Sequence, residues 1–364
     1  MNFKEIKRVY LKIYRSAVRI IYESKFDTEQ HLHNEVFNNL KSKNILSDEE
    51  RKEFLQYYKS YDYCDTVYHE FYKEKTGVFS KYFLPDYFYY YCIDKHYNDW
   101  DMALKLDNKC MYGLYFGEVK QPTNIVYRCN NIWFDSDSSI ITQEKAYSIL
   151  QETDDEIFLK IAADSEGGHG VYCYNNAKRN IDSIIEKTID IKSDIVIQKG
   201  IKQHNELKKL NPSSVNTIRV LSFLTNEEVK IYSCVLRMGI GNSKVDNASS
   251  GGITVGIRED GTLKSTAYSA IGEKYETIHP TSKVEFSSVK IPNYSCVLDL
   301  VKKLHPRFPH SRLLSWDIAI GENEEPILIE VNMKMGELDF HQLNNGPLFG
   351  DDTTKILNDV FGIK

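Results

Sequence analysis

The chain has 364 residues, 41% of them apolar and 27% charged, with a formal net charge of −6 at pH 7. That is an ordinary globular composition with room for two or three domains, and it excludes a nucleic-acid binder that works through a global basic field. Seven cysteines, odd in number and without a C-x-x-C pair, argue for a reducing compartment and against both a disulfide framework and a structural zinc site. No apolar run approaches a membrane span and no signal peptide is evident, so the expected location is the cytoplasm.

The first quarter reads as helical. Residues 1–25 are basic and amphipathic, with Phe3, Ile6, Tyr10, Ile13, Tyr14, Val18 and Ile21 forming much of an apolar stripe. Such a stretch suits peripheral docking on anionic lipid at the inner face of a membrane; a helical cap with a solvated basic face is the alternative. Ser47 with Glu50 predicts a capping box and a helix through Tyr58. The aromatic run Lys81–Asp94 lacks interleaved basic residues and reads as buried wall.

From about Trp100 the pattern turns to strands. Asn130-Asn131 predicts a tight hairpin between two β-rich runs. A short helix near Gln143–Leu150 follows. Strands are then expected at Glu156–Ala162 and Val171–Tyr174, on either side of a glycine-rich loop, Asp164–Gly170. After a helix near Asn176–Lys187 come strands at Ile195–Ile201, Ser214–Leu224 and Val229–Gly239, then a Gly/Ser-rich loop over Ile240–Gly252. A helix is expected at 294–304 and a terminal one near Thr353–Val360. The order predicts an α+β fold in three regions: a helical, aromatic-rich part (1–98), a smaller lobe with the glycine loop (99–200) and a larger lobe (201–364).

The densest chemical signal is in the two strands Leu313–Ile320 and Pro326–Asn332, joined by a short polar turn. Glu330 and Asn332 share a strand face, and hairpin pairing sets Asp317 opposite Glu330. Two carboxylates and an amide are hard oxygen donors, a set suited to Mg²⁺. In the glycine loop, Gly167, Gly168 and Gly170 allow backbone N–H groups to cradle phosphate, with Lys160 on the preceding strand. Neither a Walker A motif nor G-x-G-x-x-G is present. Lys109 reads by itself as a surface lysine. Gln198 ends a strand, as an adenine contact or as a plain polar strand end. Arg219 and Arg237 lie within apolar strands, which calls for an anion, either a bound phosphate or a structural carboxylate.

This order of signals resembles the ATP-grasp superfamily: Lys109, Lys160 with GGHG, Gln198, Arg219, Arg237, Asp317 and Glu330-x-Asn332. The NTIR segment (Asn216–Arg219), VDN…GG (Val245–Gly252), SWDIAI, LIEVN and FHQ (Phe340–Gln342) look closest to its sugar-transfer-associated branch, akin to teichuronopeptide-biosynthesis proteins. The resemblance spans roughly Phe83–Gln342. It implies two α+β lobes clasping ATP, after an N-terminal helical region, and ATP-dependent joining of a carboxylate to an amine, with glycan-assembly enzymes as partners. Lys109 and Lys160 would then contact phosphates, and Ser165, Glu166, Gly167, Gly168, His169 and Gly170 would close over them. Gln198 and Ile201 would border adenine, with His204 near the ribose. Asp317, Glu330 and Asn332 would hold Mg²⁺. Arg219, Arg237 and Lys160 would act on the transferring phosphoryl group, and Asn216, Thr217, Asp246, Asn247, Gly251 and Gly252 would line the acceptor side. A phosphotransferase and a non-catalytic nucleotide-binding subunit are the competing readings. The chain departs from the family at Gln198 and His204, where glutamates are usual, and at EVNMKMG, where E-x-N-x-x-P-G is usual.

Overall fold

The computed structural model describes Val36, Phe37, Leu40 and residues 43–163, 170–247 and 251–363. The chain divides into two compact units, one of residues up to His96 together with Gly346–Lys364, the other Tyr97–Asn345. Residues 346–364 group with the N-terminal unit, whereas the sequence reading places them in the region 201–364.

In the first unit, helix α1 (Asp48–Tyr58) starts at the predicted capping box: Glu50 N donates to Ser47 Oγ at 3.2 Å, and Ser47 N to Glu50 Oε2 at 2.7 Å. Helix α2 is Val67–Thr76. The aromatic run becomes a π-helical stretch, Tyr87–Asp94, in which every residue but Tyr91 is buried. Its Phe88 ring and that of Tyr61 meet Phe361 of the C-terminal helix, Thr353–Phe361, at 5.3 and 5.2 Å between centroids. Those aromatic contacts tie the chain's last helix to this unit. The basic stretch 1–25 lies outside the described residues.

The second unit holds two antiparallel sheets. The first takes the order β3-β2-β1-β6-β4-β5: β1 Asn124–Cys129, β2 Ile132–Asp135, β3 Ile140–Ile141, β4 Ile157–Ile161, β5 Val171–Tyr174 and β6 Ile195–Lys199. Asn130 and Asn131 both have positive φ (49° and 62°), as a two-residue turn matched to strand twist requires. Helices α3 (Gln143–Gln151) and α4 (Ile181–Asp190) cover one face, through Ala146, Leu150 and Ile184 against Val126, Ile157, Leu159, Ile195 and Ile197. The alternate residues Tyr127, Lys160, Val196 and Gln198 fall on the other face.

The second sheet runs β11-β10-β9-β8-β7-β12-β13. Its strands are β7 Thr217–Leu224, β8 Val229–Met238, β9 Ile253–Ile257, β10 Leu263–Ser269, β11 Lys274–Glu276, β12 Leu313–Ile320 and β13 Pro326–Asn332. Helix α5 (Tyr294–Leu304) buries Val297, Val301 and Leu304 against Ile218, Val220, Leu236, Trp316 and Ile318. The opposite face carries Arg219, Arg237 and Asp317, and helix α6 (Asp339–Asn345) packs there through Phe340 on Val235. The sequence reading has no counterpart for β9–β11 or α6.

Candidate active site

Strand register builds the site. Asp317 pairs with Glu330 on one side and with Arg219 on the other, and Thr217 pairs with Arg237. Paired residues share a face, so five charged or polar side chains from four strands point the same way. The predicted opposition of Asp317 and Glu330 is realised.

Asp317 is 4% exposed. Arg219 grips it with two bonds, Nε to Oδ1 at 2.6 Å and Nη2 to Oδ2 at 2.7 Å; Arg237 Nη1 adds contacts of 3.2 and 3.1 Å. Burial alone would raise this carboxyl; Arg219 and Arg237 outweigh it and hold it below the ordinary value. Arg219 also bonds Glu337 Oε2 at 2.7 Å, and Arg237 reaches Asp246 at 3.3 Å. Asp246 Oδ2 accepts from both the backbone N–H and the hydroxyl of Thr217. Gly252 N donates to Asn247 O at 3.0 Å. A Cβ at 252 would lie 2.4 Å from Asp246 O, and Gly251 has φ +87°, so both glycines are required by the chain's own path.

Lys109 sits in a single 3₁₀ turn, Lys109–Met111, fixed by Asn108 Oδ1 accepting from Cys110 N and by its own N–H bond to Ala162 O. It is 7% exposed, not the surface lysine its local sequence suggests, and its Nζ meets Glu330 Oε1 at 2.8 Å. Burial opposes its charge, but Glu330, supported by Asp107 and Asp317, holds the ammonium above its ordinary value. This pair joins the turn packed on the first sheet to an edge strand of the second. Lys160 lies on the same side. Burial and the neighbouring Lys109 bring its amine down to about 8, only partly offset by Glu330 and Asp246. Among the described residues it has no ion-pair partner.

The donor set fits a hard divalent cation in part. Glu330 keeps one carboxylate oxygen beyond the Lys109 contact, and Asn332 Nδ2 donates to Ser315 O at 3.4 Å, leaving its oxygen for a cation. In this conformation four guanidinium contacts occupy the lone-pair positions of Asp317, which anchors Arg219 and Arg237. Arg219 and Arg237 have Asp317, Glu337 and Asp246 as their anionic partners in this conformation.

The remaining expected positions separate. Gln198 pairs with Phe158 and, across β1, with Asn124, to which its Nε2 donates at 2.9 Å; it shares the sheet face of Lys160 two residues along β6. Ile201 is half-buried in the connector that follows. His204 N donates to Ile320 O at 2.8 Å, and its Nδ1 caps the short helix Asn205–Lys208 by accepting from Glu206 N. Asn216 is fully buried and ties three segments together, its amide nitrogen donating to Gln203, Leu207 and Asn211. Gly170 is described, directly before β5, while Ser165, Glu166, Gly167, Gly168 and His169 lie outside the described residues. Sequence reasoning missed Glu337, which lies past the end of β13 where strand periodicity gives no signal. It gives no role to His341, which lies in the FHQ segment. That imidazole is buried, bonded through Nδ1 to Ser233 Oγ at 2.7 Å, and kept neutral, at about 3, by burial and Arg219.

A family model described as sugar-transfer associated ATP-grasp matches residues 93–357, well over half of the chain. Solved structures similar to it include an N5-carboxyaminoimidazole synthase from Aspergillus clavatus with ADP and an aminoimidazole ribonucleotide (11% identity, 72% of this chain and 53% of that one, TM-score 0.40). Another is D-alanyl-alanine synthetase A from Vibrio cholerae (12%, 70% and 64%, 0.41). A third is the biotin carboxylase domain of a Hydrogenobacter thermophilus 2-oxoglutarate carboxylase with MgADP (13%, 73% and 47%, 0.43). The chain spans about half the length of the first of these. No curated protein matches. The family match carries the assignment, and likenesses at these scores add nothing to it.

Proposed function

The chain belongs to the sugar-transfer associated ATP-grasp family, and from that premise we propose that it is an ATP-dependent carboxylate–amine ligase. The observation that supports the reading is the 2.8 Å contact of Lys109, in a turn packed on the first sheet, with Glu330 on the edge of the second, beside Lys160 on β4 and Arg219 and Arg237 on β7 and β8. Two ammonium groups and two guanidiniums beside oxygen donors suit a triphosphate.

In this reading Lys109 and Lys160 bind phosphate oxygens, and Gln198 borders the base. Glu330 and Asn332 would hold Mg²⁺, which supplies neutralisation of the triphosphate charge when bound. Phosphate competes with Asp317 for Arg219, and a carboxylate oxygen released from that grip becomes a further donor. The substrate carboxylate attacks the γ-phosphorus, ADP leaves, and the acyl-phosphate is then displaced by an amine, releasing inorganic phosphate. The chain's work in the first step is positioning and charge stabilisation. The family's description, which mentions sugar transfer, supports a sugar-linked carboxylate as the substrate class; a sugar acid joined to an amino acid or simple amine in surface polysaccharide assembly is our proposal.

Phosphate release tests the reading, with uronic-acid precursors and amino acids supplied in pairs. Release that needs both partners, with an amide found by mass spectrometry, supports it. A stable phosphorylated acceptor without amide would make the protein a phosphotransferase instead.

A further inference from the structure

The turn that delivers Lys109 also delivers Cys110, and the tertiary structure gathers a second constellation there. Cys110 from the turn, Cys129 from the end of β1 and Asp194 from the entry to β6 bring Sγ, Sγ and a carboxylate oxygen within 4.8 Å of one another. Spacing rules could not find this set, because its members lie 19 and 65 positions apart in sequence and meet only through strand pairing.

We propose that Cys110, Cys129 and Asp194 form a binding site for one thiophilic cation of the Zn²⁺ class, separate from the Mg²⁺ and nucleotide site. The dimensions suit it. With Zn–S of about 2.3 Å and Zn–O of about 2.0 Å, a tetrahedral centre needs S···S of about 3.8 Å and S···O of about 3.5 Å. Cys129 Sγ and Asp194 Oδ2 already stand 3.4 Å apart, and since no pair is wider than 4.8 Å the other gaps need to close by at most about 1.3 Å. The carboxylate is oriented from behind: Asn130 N donates to Oδ1 at 2.7 Å and Asn108 Nδ2 to Oδ2 at 3.0 Å. Outer partners of this kind fix ligand direction in metal sites. Cys110 is buried, whereas Cys129 and Asp194 are half-buried, which leaves solvent access for a water as fourth ligand. Two sulfur donors select a soft or borderline cation over Mg²⁺. Among the described residues it is the one group of three or more such side chains at metal-binding spacing. Binding replaces two thiol protons by the cation and releases them to solvent. Occupancy would tie the Lys109 turn to β1 and β6, the strands that carry the nucleotide face.

The test is zinc retention by the reduced, full-length protein after desalting in excess Mg²⁺, together with the absorption spectrum of the Co²⁺-loaded protein. One equivalent of zinc and a thiolate-to-cobalt charge-transfer band are expected. Cys129→Ser should lose both, and Asp194→Asn should weaken zinc binding by at least about tenfold, with unfolding curves confirming that each variant folds. Absence of stoichiometric zinc in the wild type would overturn the proposal. So would unchanged binding in Cys129→Ser, or a Co²⁺ spectrum without thiolate character. None of these readouts uses ATP, so they stand or fall independently of the ligase reading.

Discussion

Asp317 and Glu330 face each other across one strand pair and have opposite surroundings. Asp317 is enclosed by two guanidiniums, whereas Glu330 is one-quarter exposed and meets one ammonium. Asp317→Asn leaves Arg219 and Arg237 buried without their shared anion, and it is expected to lower stability by about 3–5 kcal/mol in urea unfolding. Glu330→Gln still accepts a bond from Lys109, so its stability loss should be smaller, while turnover falls by roughly two orders of magnitude or more. Near-normal ATP turnover in Glu330→Gln would remove the site assignment. Lys160 makes a pH prediction. Its amine sits near 8 in the folded chain, so it is charged below that pH, and Mg·ATP affinity should decline as pH rises through it. Lys160→Arg, charged throughout, should flatten that profile. The unfolded lysine titrates near about 10.4; between the two values the unfolded chain holds more protons, so this group's contribution makes stability rise with pH. A wild-type minus Lys160→Met difference of the opposite sign would contradict the burial that depresses it.

At the scale of elements, β12 shows how a strand serves core and site together. Trp316 and Ile318 face α5, and Asp317 between them faces the arginines. The indole also donates to Ser222 Oγ at 2.8 Å and packs against Phe116 and His305. Trp316→Ala is expected to cost about 3–5 kcal/mol and to loosen Asp317, seen as a lower urea midpoint together with weakened Mg·ATP binding. An unchanged midpoint would show that β12 is held by something other than this packing. The β12–β13 hairpin, the Asn130-Asn131 turn and α5 were legible because alternation, turn chemistry and helical periodicity all act over a few residues. Strands β9–β11 escaped because Thr254, Gly256 and the polar residues of β10 blur alternation, and β9 is buried on both faces.

On the scale of the whole second unit, the Lys109–Glu330 pair spans from one sheet to the other. A ligand that engages both sheets stabilises the native state by mass action. Mg·ATP at about a hundred times its Kd should add about 2.7 kcal/mol, and calorimetry should show a melting rise of several degrees. Lys109→Ala should bind Mg·ATP less tightly and lose much of that rise; a full rise in this variant would place the nucleotide elsewhere. The sequence alone carried the α+β class, the family resemblance and the identity of most charged residues now found together, because strand periodicity and motif order are written locally. Only tertiary structure could show that Asp317 is filled by arginines, that Lys109 is buried, that Asn216 is a tether and that Cys110 meets Cys129 and Asp194. Each of those facts depends on which distant strands become neighbours and how much water they exclude, and no local pattern encodes either.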